Sequence, residues 1–304
     1  MIEKRIVNVA SYRRTDSLVK TLESIIDQCD EINVALNDFQ GGLPPILYHN
    51  KVNLYFTDNS KGDAFKFLQL SNSEGYFLTI DDDLIYPPNY VDHLINKCKE
   101  NNNSKVITLH GRNFNKFPIN SYYKSATERY SCLNKVRNDV KVQFGGTGVM
   151  CFHTSLMKIP IDYFQNPNMA DVWVGKYCIE NNIEIICLKH DEGYVKYIPQ
   201  KTTIYDVESK NDNEQTKIVN SIFTQNEVLI NTIINNEKTI EVKIEQSLDL
   251  KKKEINYDKI NAIFNSNNTS IRIKPKKETP PQPKLNSNSA TISKMFSNNK
   301  RKIR

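Results

Sequence analysis

The sequence predicts an α/β domain built on a mainly parallel central sheet, and three observations carry that prediction. Strand-like and helix-like patterns alternate over the first 110 residues. The strand-like runs are short, apolar and β-branched, as buried strands are. The chain has 304 residues, of which 38% are hydrophobic, enough to bury a sizeable core.

Arg5–Ala10 (RIVNVA) reads as the first strand, and the SYRRT loop after it places Thr15 or Asp16 to cap a helix running to about Cys29. Leu18, Leu22, Ile25 and Ile26 fall on one face of that helix. Glu31–Leu36 and Val52–Phe56 are the next strands, and Asp63–Leu70 an apolar-faced helix. Tyr76–Ile80 is the central strand, Pro88–Lys99 a helix opened by a Pro-Pro pair, and Lys105–His110 a further strand. From Arg112 to Lys141 the pattern dissolves into tyrosines, asparagines and charges. A stretch of that length inside a domain is functional or disordered. Its aromatics, Phe114, Phe117, Tyr122, Tyr123 and Tyr130, suit a lid or an acceptor-binding insertion. Val140–Phe144 resumes an extended pattern. Gly145-Gly146-Thr147-Gly148, dense enough in glycine for a close backbone approach to a ligand, leads into Val149–His153. Met169–Asn182 is a helix carrying the only tryptophan, and Ile183–Leu188 the last buried strand.

Beyond Asp206 the character changes. Residues 206–250 form a helical extension, with apolar spacing at Ile218, Ile222, Val228, Ile230 and Ile233. Residues 251–304 are basic, rich in Asn, Ser, Pro and Lys, and read as a disordered tail. Much of the net charge of +6 sits in that tail, in KKKE, RIKPKK and NKRKIR. It therefore argues for no specific nucleic-acid face. It suits peripheral contact with an anionic membrane surface. No apolar run is long enough for a membrane helix, and MIEKRIVNVA lacks the apolar region of a secretory signal, so a cytoplasmic location is expected. Six scattered cysteines without metal-like spacing read as reduced thiols.

The chemistry is concentrated in Gly75–Tyr90, GYFLTIDDDLIYPPNY. The apolar run delivers Asp81, Asp82 and Asp83 to the carboxyl end of a buried strand, where open α/β sheets place their ligands. Three adjacent carboxylates repel one another, and a hard divalent cation such as Mg²⁺ or Mn²⁺ relieves that cost, commonly alongside substrate phosphates. A solvated, helix-capping loop is the plainer alternative. Neither GxGxxG nor GxxxxGK[ST] follows the first strand, which sets aside the usual dinucleotide and P-loop fingerprints. Cys151 has no base placed beside it, and Trp173 reads as core.

The succession VASYRRTDSL, NDF, KGDA, YFLTIDDD, YPPNY, GGTGVMCFH and MADVW resembles bacterial-type GT-A glycosyltransferases of family 2, of the capsule and lipopolysaccharide kind, over residues 4–200. The resemblance implies a GT-A catalytic domain over 1–205, a DxD motif with Mn²⁺ or Mg²⁺, and a nucleoside-diphosphate sugar donor, by family habit a UDP-sugar. The acceptor it implies is a glycan or lipid-linked glycan hydroxyl in surface polysaccharide synthesis. On that template Asp83 is the direct metal ligand, with Asp81 beside it facing ribose or sugar, Asp82 between them, and His190 a further ligand. Ala10, Ser11 and Tyr12 line the nucleotide pocket, Arg14 reaches phosphate, Asp38 meets the base, and Lys61, Gly62 and Asp63 flank the nucleotide. Asp171 is the matching catalytic base, and a single such base implies inversion. MADVW departs from the commoner ED pair at that point. Two other classes compete: a sugar-nucleotide nucleotidyltransferase, against which the glycine-free SYRRTDS loop counts, and a non-catalytic nucleotide-sugar-binding scaffold.

Overall fold

Strands form where the short apolar runs lie. A computed structural model describes residues 3–224, so the disordered-tail expectation for 251–304 and most of the helical extension lie outside the described residues. The strands are β1 (Arg5–Tyr12), β2 (Glu31–Asn37), β3 (Val52–Thr57), β4 (Tyr76–Asp81), β5 (Leu84–Ile85), β6 (Lys105–Thr108), β7 (Gly111–Asn113), β8 (Glu128–Tyr130), β9 (Val140–Val142), β10 (Phe144–Gly145), β11 (Val149–His153), β12 (Glu184–Cys187) and β13 (Lys196–Tyr197). The helices are α1 (Thr15–Ile25), α2 (Tyr90–Glu100), α3 (Ala170–Glu180) and α4 (Ile204–Glu208). Residues 213–224 are helical as well.

Eight strands make the central sheet, in the order β3-β2-β1-β4-β11-β6-β12-β9. Parallel pairing holds β1 to β2 and β4, β2 to β3, and β6 to β12, whereas β11 and β9 enter antiparallel. The expected α/β class with a mainly parallel sheet is what the chain adopts. Side chains of β4 alternate between two apolar layers: Tyr76, Leu78 and Ile80 pack with α1 and α2, while Phe77 joins the layer under α3. Both faces are thus covered, which explains why β4 reads as a continuous apolar run.

Several local expectations are corrected. Asp63–Leu70 is not an α-helix but two 3-10 turns, Gly62–Phe67 and Leu70–Asn72. Ala64, Phe67 and Leu70 are buried at a strict spacing of three, the repeat of a 3-10 turn. Neither Thr15 nor Asp16 caps α1; Arg14 holds that position without a side-chain cap. Pro87 and Pro88 precede α2, and the Tyr90 N–H donates to the Pro87 carbonyl oxygen at 3.0 Å. The 112–141 stretch is ordered around a three-stranded sheet, β10-β7-β8. Val219 and Ile222, past the expected boundary at 206, are buried in the same apolar layer as Phe114, Ile119 and Tyr122. All six cysteines are free and buried.

Candidate active site

The carboxyl ends of β1, β2 and β4 open into a cleft of about 650 Å³. Pairing sets Asp81 of β4 directly opposite Ala10 of β1. The Asp81 carboxylate accepts from Lys66 Nζ at 2.5 Å, and the Lys66 side chain is only 3% exposed. Burial alone would depress that ammonium, but Asp81, Asp63 and Asp171 together hold it above the ordinary lysine value. A Cβ on Gly148 would lie 1.9 Å from Asp81 Oδ2, so glycine is what lets the GGTG loop close on this carboxylate. The Tyr86 hydroxyl fastens the two together: it accepts from the Asp81 N–H at 2.9 Å and donates to the Gly148 carbonyl at 2.6 Å.

Asp82 is buried and accepts from Ser11 Oγ at 2.6 Å and from Arg14 Nη1 at 3.3 Å. The same Nη1 reaches Asp83 at 3.1 Å, and Arg14 Nη2 donates to the Thr202 carbonyl at 2.8 Å. Burial, then the charges of Asp81 and Asp82, push the Asp83 carboxyl up to about 7. Asp82 is raised as well, chiefly by burial.

Across the cleft, Asp171 sits in the first turn of α3. Its Oδ1 accepts from both the N–H and the hydroxyl of Thr147, each at 2.7 Å, which ties the helix start to the GGTG loop. Asp63 Oδ1 accepts from the Ala170 N–H at 3.3 Å, and burial pushes its carboxyl up to about 7 against the pull of Lys66. His110 and Arg112 complete this side, and burial lowers the His110 imidazole.

Asp63, Asp81, Asp82, Asp83 and Asp171 all line the cleft, whereas its cations are Arg14, Lys66 and Arg112. The carboxylates outnumber the cations, and Asp63 and Asp83 are both pushed up to about 7 in this setting. A divalent cation would lower the cost of ionising them. The donor chemistry fits: Asp81 and Asp83 offer hard carboxylate oxygens on the cleft wall, and burial, then the neighbouring charges of Asp81 and Asp82, leave the ionised form of Asp83 in need of a cation. No group of three metal-ligating side chains occurs among the described residues. The fit is therefore to a cation held by one or two carboxylates and completed by phosphate oxygens and water, as Mg²⁺ often is.

Of the residues expected at the site, Ala10, Tyr12, Arg14, Gly62, Asp63, Asp81, Asp82, Asp83 and Asp171 line the cleft. Four do not. Ser11 alternates to the opposite face of β1 from Ala10 and Tyr12 and is spent on Asp82. Asp38 lies past the wall at a φ of 46°, its carbonyl oxygen accepting from Arg13 Nε at 3.4 Å. Lys61 Nζ is directed away, onto the Phe164 carbonyl at 2.8 Å. His190 is buried outside the cleft, with Nδ1 at 2.8 Å from the Leu188 carbonyl oxygen and Nε2 at 3.2 Å from that of Ser131, an arrangement that does not fit a metal ligand. Arg14 also differs from expectation: its guanidinium serves Asp82, Asp83 and Thr202, not open space for a phosphate.

Sequence reasoning missed Lys66, His110, Arg112, Asn37 and Asn59, which line the cleft, and Tyr86, which fastens Asp81 to Gly148. Lys66 lies in KGDAFKF, where the apolar pattern gave no hint that a lysine is interior. Thr203 and Tyr205, near the end of the expected domain, and Val207 and Gln215, from the expected helical extension, also line the wall.

No protein-family model matches the chain, and no curated protein sequence matches it. Among solved structures the chain is similar to S. aureus TarS 1-349 in complex with UDP-GlcNAc. The identity is 16% and the TM-score 0.45, and the match covers 65% of this chain and 58% of that chain. No helix among the described residues is long and apolar enough to cross a membrane.

Proposed function

We propose that the chain is a glycosyltransferase of the GT-A kind that moves a sugar from a nucleoside diphosphate, a UDP-sugar by family habit, to an acceptor hydroxyl. The observation that supports it is the charge imbalance at the strand ends. A cleft lined by five carboxylates and three cations, with Asp83 pushed up to about 7, suits a divalent cation and the diphosphate that would share it. Asp83, with Asp81 beside it, would hold Mn²⁺ or Mg²⁺, which when bound supplies Lewis-acid stabilisation to the departing diphosphate.

The remaining work falls to side chains. Lys66 fixes Asp81 from beneath, and Arg14 Nη1 bridges Asp82 and Asp83. Ala10, with no side chain beyond Cβ, leaves room for the nucleotide, and Asn37 and Asn59 form the rim behind it. Asp171 has Oδ1 immobilised by Thr147, which leaves Oδ2 to take the proton from an attacking acceptor hydroxyl. One base on the face opposite the leaving group implies direct displacement and inversion at the anomeric carbon. Surface polysaccharide or glycoconjugate synthesis is the setting this reading favours.

The test is hydrolysis of a panel of nucleotide sugars by the full chain, with and without Mn²⁺. Metal-dependent release of one nucleoside diphosphate, lost in Asp83→Ala, is the expected result. Release of pyrophosphate from a nucleoside triphosphate and a sugar phosphate would replace it with a nucleotidyltransferase. Absence of turnover and of metal-dependent binding with every donor would leave a scaffold.

A further inference from the structure

We propose that Arg112 is an anion-binding residue at the aromatic end of the cleft, and that the acceptor carries a phosphate or carboxylate which it holds. The proposal rests on the glycosyltransferase reading for the word acceptor, and on the structure for the anion.

Of the three cations lining the cleft, Arg14 is committed to Asp82 and Asp83, and Lys66 to Asp81. Arg112 forms no ion pair among the described residues. Its one side-chain hydrogen bond there runs from Nη1 to the Tyr122 carbonyl, at a long 3.3 Å. Most of the guanidinium fork is left without a protein acceptor. The group is nonetheless held in place: Cζ lies 4.3 Å from the centroid of the Tyr122 ring and 5.2 Å from that of Tyr123. Stacking on phenol faces orients a guanidinium and strips some of its water, yet leaves its edge free for the two parallel bonds that carboxylates and phosphates accept.

The wall that holds Arg112 is built independently of the strand ends that carry the acids. The Tyr122 N–H donates to Thr216 Oγ1 and the Tyr123 N–H to Asp212 Oδ2, each at 2.9 Å. Ser121 Oγ reaches the same Asp212 oxygen at 2.5 Å, and Asn220 exchanges two bonds with the Ile119 backbone at 2.7 and 2.9 Å. The helix over 213–224 is thereby stapled to the aromatic stretch. Tyr205 of α4 meets Tyr123 edge-on at 5.3 Å. Two cleft-lining residues of this wall, Tyr122 and Gln215, carry buried polar atoms with no protein partner, the Tyr122 hydroxyl and Gln215 Oε1. An aromatic, partly unsatisfied wall with a preset guanidinium suits a hydroxylated ring that bears a negative charge. Asp171 lines the same cleft as both tyrosines, so a ring seated here shares the cavity with that carboxylate.

The experiment uses the full chain saturated with UDP and Mn²⁺ and titrates three probes: glucose 6-phosphate, glucuronate and glucose. At least one anionic probe should bind about tenfold or more tightly than glucose, and the two anionic arms distinguish phosphate from carboxylate. Arg112→Gln should erase the preference and leave UDP affinity unchanged. Arg112→Lys, which keeps the charge and the stem, should retain part of it and controls for folding. Equal binding of all three probes, or binding of none, overturns the proposal. A matching loss of UDP affinity in Arg112→Gln also overturns it, because Arg112 would then serve the donor. If UDP itself does not bind, the glycosyltransferase reading fails separately, and the same titration without nucleotide still reads the anion site.

Discussion

The two halves of the cleft are made in different ways. The strand-end half is set by the sheet: Ala10, Tyr12 and Asp81–Asp83 sit at the ends of two paired parallel strands, and their placement follows from strand register. The aromatic half is set by side-chain hydrogen bonds between irregular segments. Arg112, Tyr122 and Tyr123 are held by Asp212 and Thr216, about ninety positions later. The first half is crowded with opposed charges, and the second is aromatic, with Arg112 free of any ion pair among the described residues. Separate construction predicts separable function: donor and cation on one side, acceptor on the other, with Asp171 between them.

The largest effect should come from the shared residue. Asp171→Asn is expected to lower transfer by roughly 10³-fold, within the range for loss of a general base, with UDP binding intact. Equal loss of nucleotide binding would dissolve the distinction between the halves. Asp83→Ala should weaken Mn²⁺-dependent UDP binding by at least about tenfold, the scale on which disturbing a metal site acts, while sugar-probe binding at the aromatic end is retained. A calorimetric comparison of both ligands reads this directly.

Gly148→Ala drives a methyl group to within 1.9 Å of Asp81, so it should cost about 1–3 kcal/mol of stability and loosen the acid cluster. A denaturant titration that found no change would show that the loop moves aside freely. Asp212→Ala breaks two bonds that hold the aromatic wall and should raise the acceptor KM several-fold, with donor hydrolysis unchanged. A parallel drop in donor hydrolysis would mean the halves are not independent.

The smallest effect is a pH dependence. Asp63 has a folded value of about 7 against an ordinary 3.8, so between those limits the folded chain holds a proton that the unfolded chain releases. Its contribution to stability is present below the ordinary value and is lost as pH rises through about 7. The melting temperature of ligand-free wild type should therefore fall, relative to Asp63→Asn, between pH of about 4 and about 7. The asparagine keeps an oxygen for the Ala170 N–H, so the comparison isolates the charge. Parallel profiles for the two proteins would count against it.

The same contrast explains what could be read from the sequence. A strand end converts a linear motif into a spatial one, so DDD placed Asp81–Asp83 at the cleft. Asp171 was named only by the family resemblance, and the glycine density of GGTG marked a close approach whose partner proved to be Asp81. Period-two alternation would have excluded Ser11 had the strand been extended to Tyr12. Lys66 was illegible because two of the three carboxylates around it, Asp81 and Asp171, come from other elements. The Asp63–Leu70 turn was misjudged because a spacing of three fits either helix type over so short a run. Nothing in 112–141 signals that Asp212 and Thr216 will bind it, since those hydrogen bonds have no period and no motif. His190 and Lys61 were assigned by position in a template, and their ring nitrogens and ammonium found backbone carbonyl oxygens instead.

The most direct test of the central claim is an isothermal titration of UDP into the full chain, wild type and Asp83→Ala, with and without Mn²⁺. The account predicts one site on the wild type that requires Mn²⁺ and is lost in the variant. UDP binding of equal strength with and without the ion, indifferent to Asp83→Ala, would contradict it.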